Sequence, residues 1–169
     1  MIATAHVTAG MIASVAALSV RGSGTRFVTA LGLGALSHVV LDMIPHSDYG
    51  VLSQRAILAI VALELVVTFA FGWYVLRSRR LPGLSVTLPA ALAGAMMPDM
   101  KFAGNWLPEP AASWVTAGGY RFHRGLHVGP TPLAVGLSAE IACTVLLVVG
   151  LWLIVRTYPR DQTRRVDQA

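Results

Sequence analysis

The feature that most constrains this chain is a series of apolar blocks, each close to a bilayer span in length, separated by short basic clusters. A helix crossing the hydrocarbon core needs about 20 apolar residues. Five segments approach that length: Ile2–Val20, Phe27–Pro45, Ala56–Leu76, Leu84–Met100 and Pro132–Val155. Only 12% of the 169 residues are charged and 55% are hydrophobic, whereas soluble domains carry roughly 25% charged residues. Mean hydropathy is +0.64. The expected fold is all-α, a polytopic membrane helical bundle of about five transmembrane helices. Residues 1–158 form a single transmembrane domain in this reading, and the polar residues 159–169 form a disordered basic cytoplasmic tail. Block four is the shortest and is interrupted by Pro89. Thr131-Pro132 reads as an N-cap followed by proline at the first helical position.

The net charge of +5 does not point to nucleic acid, because the basic residues sit between apolar blocks rather than along one groove. They set an orientation instead. One side of a five-span bundle receives Arg55, Lys101, Arg121 and Arg124. The other receives Arg21, Arg26, Arg77, Arg79, Arg80, Arg156, Arg160, Arg164 and Arg165. The richer side is cytoplasmic by the positive-inside rule, which puts the N-terminus outside and the C-terminus inside a bacterial cytoplasmic membrane. Trp73, Tyr74, Trp152 and Tyr158 then fall beside the cytoplasmic arginines, and Trp106, Trp114 and Tyr120 serve the outer surface. No basic residue precedes the first apolar block, which reads as a retained helix rather than a signal peptide. Cys143, the single cysteine, lies in an apolar run and reads as a small packing residue. Ala30, Gly34, Gly94 and Gly104 read as close-packing or turn positions.

Ionisable groups inside spans are costly and usually functional. All five histidines, His6, His38, His46, His123 and His127, map to the outer half of this topology, as do Asp42 and Asp99. The orientation rests on Lys and Arg alone, so this clustering is independent of it. His38 and Asp42 are four residues apart, which sets both on one helix face. His123 and His127 have the same spacing within the outer loop 101–131. Imidazole and carboxylate together suit zinc, and also manganese or iron. Seven candidate ligands exceed the needs of one structural zinc, leaving room for a two-metal site or an ordered outer shell. Glu64 and Glu140 each lie ~12 Å below the outer boundary of their helices, and His38 ~10 Å, at 1.5 Å per residue. Three ionisable groups at one depth suggest a polar cavity, with either glutamate as general base or as partner to a ligand histidine. Arg124 suits a phosphate clamp.

Each residue also has a plainer role. An intramembrane histidine such as His6 serves as an interhelical hydrogen-bonder, and Asp99 after Pro98 as a helix stop or cap. His46 after Pro45 reads equally as a loop residue, Glu64 and Glu140 as helix bridges, and Arg124 as a lipid-headgroup contact.

These motifs resemble the family of membrane-bound metal-dependent hydrolases of the YdjM type, also described as LexA-regulated inner-membrane hydrolases. The shared elements are His6 in the first span, Ser37-His38 with Leu41-Asp42, Pro98-Asp99, and His123-Arg124-Gly125 with His127, covering roughly residues 6–127. The block order is permuted, since the Ser-His block here precedes the other two. Leu126 and Val128 also replace the threonine and serine typical around the last histidine. The chain is similar too to small bacterial membrane proteins with an SHxxLDxxPH signature. Its His/Asp set distantly resembles that of zinc-dependent phospholipase C. The resemblance implies metal-dependent hydrolysis of a phosphoester or another ester. An outer-leaflet lipid or lipid-linked substrate fits a site near the bilayer surface. The alternatives are a non-enzymatic metal binder (a transporter subunit or sensor) and haem ligation by two histidines, against which the aspartates argue.

Overall fold

A computed structural model describes residues 3–44, 53–77, 81–96 and 131–158. Among them the chain is all-helical, without strands, in five helices: α1 Ala3–Ala17, α2 Ser23–Asp42, α3 Gln54–Arg77, α4 Leu84–Met96 and α5 Leu133–Thr157. Each falls on one of the five apolar blocks. Two of them, α2 and α5, are long and apolar enough to cross a membrane, while α1 and α4 are shorter apolar helices.

The boundaries differ from the apolar blocks for local reasons. Leu18, Ser19 and Val20 leave α1 in a run of i→i−3 bonds, the tightened winding common at helix ends. Gly22 follows with φ +84°, and the Arg26 amide donates to its carbonyl at 3.0 Å. So α2 begins with the polar turn Ser23–Arg26, which an apolar reading places outside the helix. At the start of α5 the expected cap is displaced by one residue. Pro132 is itself the N-cap, with extended ψ of 136° and no side-chain cap, and Leu133 is the first helical residue. Proline's fixed φ suits either position. Pro89 lies inside α4 without ending it.

α1 is the hub and packs against all four other helices, while the most extensive pairing is α2 with α4. That pair approaches closely because glycines face each other's backbone. A Cβ on Gly34 would fall on the Ala91 carbonyl, and one on Gly94 on the Leu31 carbonyl. Small residues at helix crossings are the usual device where water supplies no drive for side-chain burial. Along α2 the buried positions Ala30, Gly34, His38 and Asp42 form a stripe with a step of four. The small-residue half of the stripe fixes the α4 crossing, and its other half carries the ionisable pair.

Apolar side chains cover the outside as well as the core. Val28, Leu36 and Val40 on α2, Val66 on α3 and Leu146 on α5 are all exposed. Helices apolar on every face suit a lipid surround. Hydroxyls inside the helices bond back to their own turns, as in Thr8 to the Thr4 carbonyl and Ser14 to the Met11 carbonyl, both at 2.7 Å. Such bonds need neither water nor a neighbouring helix.

The two ends of the bundle differ. Met11 and Val15 of α1, with Leu18 just beyond its end, pack with Val75, Leu84, Leu88, Leu151 and Val155 in one apolar core. At this end Arg26 donates from Nε to the Val20 carbonyl at 2.6 Å. Burial pushes the nearby Tyr158 phenol up, with Arg26 opposing, so it stays a neutral hydroxyl. At the opposite end Ala5, Ala9 and Leu41 form a smaller cluster with Ile44, Cys143 and Leu147 against it. Cys143 is thus a packing residue, as expected.

Candidate metal centre

The three ionisable residues His6, His38 and Asp42 converge at this second end. His6 comes from α1, one turn before Ala9, and the other two from the last turns of α2. Each offers a ligand atom, and these atoms all lie within 4.8 Å of one another. The side chains of His6, His38 and Asp42 are 4%, 0% and 1% exposed. His38 Nε2 is 2.9 Å from Asp42 Oδ2, and His6 Nε2 is 3.4 Å from Asp42 Oδ1. The two imidazoles stack, with centroids 4.2 Å apart and planes 27° from parallel.

The second nitrogen of His38 decides the chemistry. Nδ1 lies 2.6 Å from the Ala95 carbonyl oxygen. A carbonyl only accepts, so Nδ1 carries the proton. A neutral His38 ring then presents its Nε2 lone pair to a carboxylate oxygen at 2.9 Å. Two acceptors at that distance require a proton or a cation to join them. A histidine whose far nitrogen donates to a backbone carbonyl is the arrangement that orients metal-ligating imidazoles. Ala95 is suited to accept because it lies in the last turn of α4, where carbonyls lack an amide from their own helix.

Asp42 adds a second demand for positive charge. Its carboxylate is buried and sits at the C-terminal end of α2, where the helix dipole already places negative charge. A buried carboxylate there needs a cationic partner. Metal–nitrogen and metal–oxygen bonds near 2.1 Å give N···O separations of about 3.0 Å at a right angle and about 3.4 Å at a tetrahedral angle. The observed 2.9 and 3.4 Å match a donor set that could hold a divalent ion.

Of the other expected residues, Glu140 is fully buried on α5. It lies one turn before Cys143, the residue that packs on the Ala5–Ala9–Leu41 cluster. Glu64 is half-buried on α3. Neither belongs to the three-residue group. His46, Asp99, His123, Arg124 and His127 lie outside the described residues, as does Gly104. Ala95 is the participant that sequence reasoning did not name. Its contribution is a backbone carbonyl, which any residue type supplies, so only the α2–α4 crossing reveals it.

No protein-family model, curated protein or solved structure matches this chain.

Proposed function

We propose that this chain is a five-span membrane protein and a metal-dependent hydrolase. Its His/Asp site opens toward the outer face and acts on a phosphoester or a lipid-linked ester. The observation that carries the reading is the setting of His38, with Nδ1–H fixed on the Ala95 carbonyl and Nε2 directed at Asp42 beside His6. A salt-bridged pair alone would not need two stacked imidazoles around one buried carboxylate.

In this reading His6, His38 and Asp42 hold the ion, with Asp99, His123 and His127 completing the set and His46 at its margin. Zinc suits the donors best, with manganese or iron also compatible. A divalent ion held by these residues would supply Lewis-acid polarisation of an ester oxygen and would lower the pKa of a water toward neutrality. The chain's own groups do the rest. Ala95 keeps the His38 ring in one tautomer and orientation. Glu140, buried on the α5 face beside α1, accepts the proton of the attacking water, with Glu64 as the other acid at that depth. Arg124 clamps the substrate's phosphate. The exposed apolar faces of α2 and α5 flank the site, so a lipid substrate reaches it without leaving the bilayer.

The test is elemental analysis of detergent-purified protein, followed by hydrolysis assays on short-chain phospholipids and aryl phosphoesters. About one or two equivalents of metal are expected. Turnover is expected to vanish in Asp42→Ala. Full turnover in Asp42→Ala, or no metal after reconstitution, would sink the hydrolase reading.

A further inference from the structure

Two helices end in the same device at the arginine-rich end of the bundle. In the last turn of α3, the Arg77 guanidinium carbon lies 5.2 Å from the Trp73 ring centroid. In the last turn of α5, Arg156 lies 4.9 Å from that of Trp152. Both are i, i+4 pairs, both distances are within the ~6 Å range of cation–π contact, and all four residues are exposed. Neither pair contributes to the His/Asp site, which is at the opposite end.

A guanidinium seated over an indole ring still has edge donors available. That edge matches two oxygens of a phosphate. The indole beneath presents an apolar body of the kind that seats at the headgroup level of a bilayer. Fixing the guanidinium on the ring also reduces the rotamer freedom it would lose on binding. The surroundings set the sign. Arg21 and Arg26 are at the same end, through the α1–α2 turn that packs there. The acids among the described residues, Asp42, Glu64 and Glu140, are all elsewhere, so no described carboxylate offsets these four arginines.

We propose that Trp73–Arg77 and Trp152–Arg156 are two matched brackets for the phosphodiester headgroups of anionic phospholipids in the cytoplasmic leaflet. The guanidinium edge binds the phosphate and the indole packs on the glycerol and upper acyl carbons. Net-negative lipids are preferred, because the ammonium of a zwitterionic headgroup meets the repulsion of neighbouring arginines. This assignment rests on the membrane-spanning reading and is independent of the hydrolase reading.

The test is native mass spectrometry of the full chain released from nanodiscs holding equal amounts of phosphatidylglycerol and phosphatidylcholine. The wild type is expected to retain phosphatidylglycerol in clear preference. Each arginine near an anionic surface is worth about fivefold, so Arg77→Ala with Arg156→Ala should lower retention at each bracket about fivefold. Arg77→Lys with Arg156→Lys keeps the charge and loses the fork, and should fall between. Trp73→Leu with Trp152→Leu should weaken retention while leaving all charges. Equal retention of the two lipids by the wild type, or an alanine variant equal to the lysine variant, would overturn the proposal. Competition by free glycerol phosphate at low millimolar concentration would assign the site to a soluble anion instead and overturn it as well. Protein that stays soluble without detergent would refute the membrane reading itself, an outcome distinct from a loss of lipid preference.

Discussion

At Asp42 a single carboxylate answers to two imidazoles from different helices, and its buried position at the end of α2 makes an unbalanced negative charge expensive. Asp42→Asn keeps the shape and one acceptor while removing the charge. We expect metal affinity to fall by at least ~100-fold, judged against losses of 10–100-fold for residues that merely orient ligands. Competition with a chromophoric chelator measures it, and affinity within a few-fold of wild type would show that Asp42 is not a ligand. His38 and Asp42 were legible in the sequence, because a spacing of four on one helix already puts both on one face. His6 was legible only as an odd histidine in an apolar span, and its stacking on His38 depends on how α1 meets α2. Ala95 was not legible at all. Glu64 and Glu140 were given the same depth by helix counting, yet only Glu140 is fully buried, a difference made by which face each helix turns toward α1.

Between elements, the α2–α4 crossing controls both stability and the site. Gly34 and Gly94 each face a carbonyl of the opposite helix, so any side chain forces the pair apart. Gly34→Ala or Gly94→Ala should cost ~1–3 kcal/mol, the range for overpacking a tight interface. Because the same crossing brings the Ala95 carbonyl to His38, both variants should also bind metal more weakly. Gly32 meets nothing within 4 Å of a built Cβ. Gly32→Ala should therefore leave metal binding unchanged and stabilise by up to ~1 kcal/mol through helix propensity. Thermal unfolding in detergent with parallel metal titration compares the three, and equal behaviour would deny the crossing its role. Helix positions followed from apolar block length. Their ends did not, because Gly22 and the turn at Leu18–Val20 set α1 and α2 through backbone geometry rather than hydropathy.

For the molecule as a whole, metal binding and folding should be linked, since the donors come from α1 and α2 and are held by α4. An ion present at about 100 times its dissociation constant stabilises the folded state by ~2.7 kcal/mol. Chelator treatment should lower the thermal midpoint of the wild type and leave that of His38→Ala with Asp42→Ala unchanged. Equal shifts in both would place the metal elsewhere. The separation of the two ends has a further consequence. Between the His/Asp group and the arginines, Met11, Val15, Leu84, Leu88, Leu151 and Val155 pack as an apolar core, and the described histidines and carboxylates are not among them. Moving a charge through an apolar layer of this kind is costly. Under the proposed hydrolase reading, protons released at one face would find no described carboxylate or imidazole in that core to carry them across, and the reaction would neither draw on nor dissipate a gradient across the membrane. Vesicles carrying the protein should hold an imposed pH difference as long as protein-free ones, even during turnover.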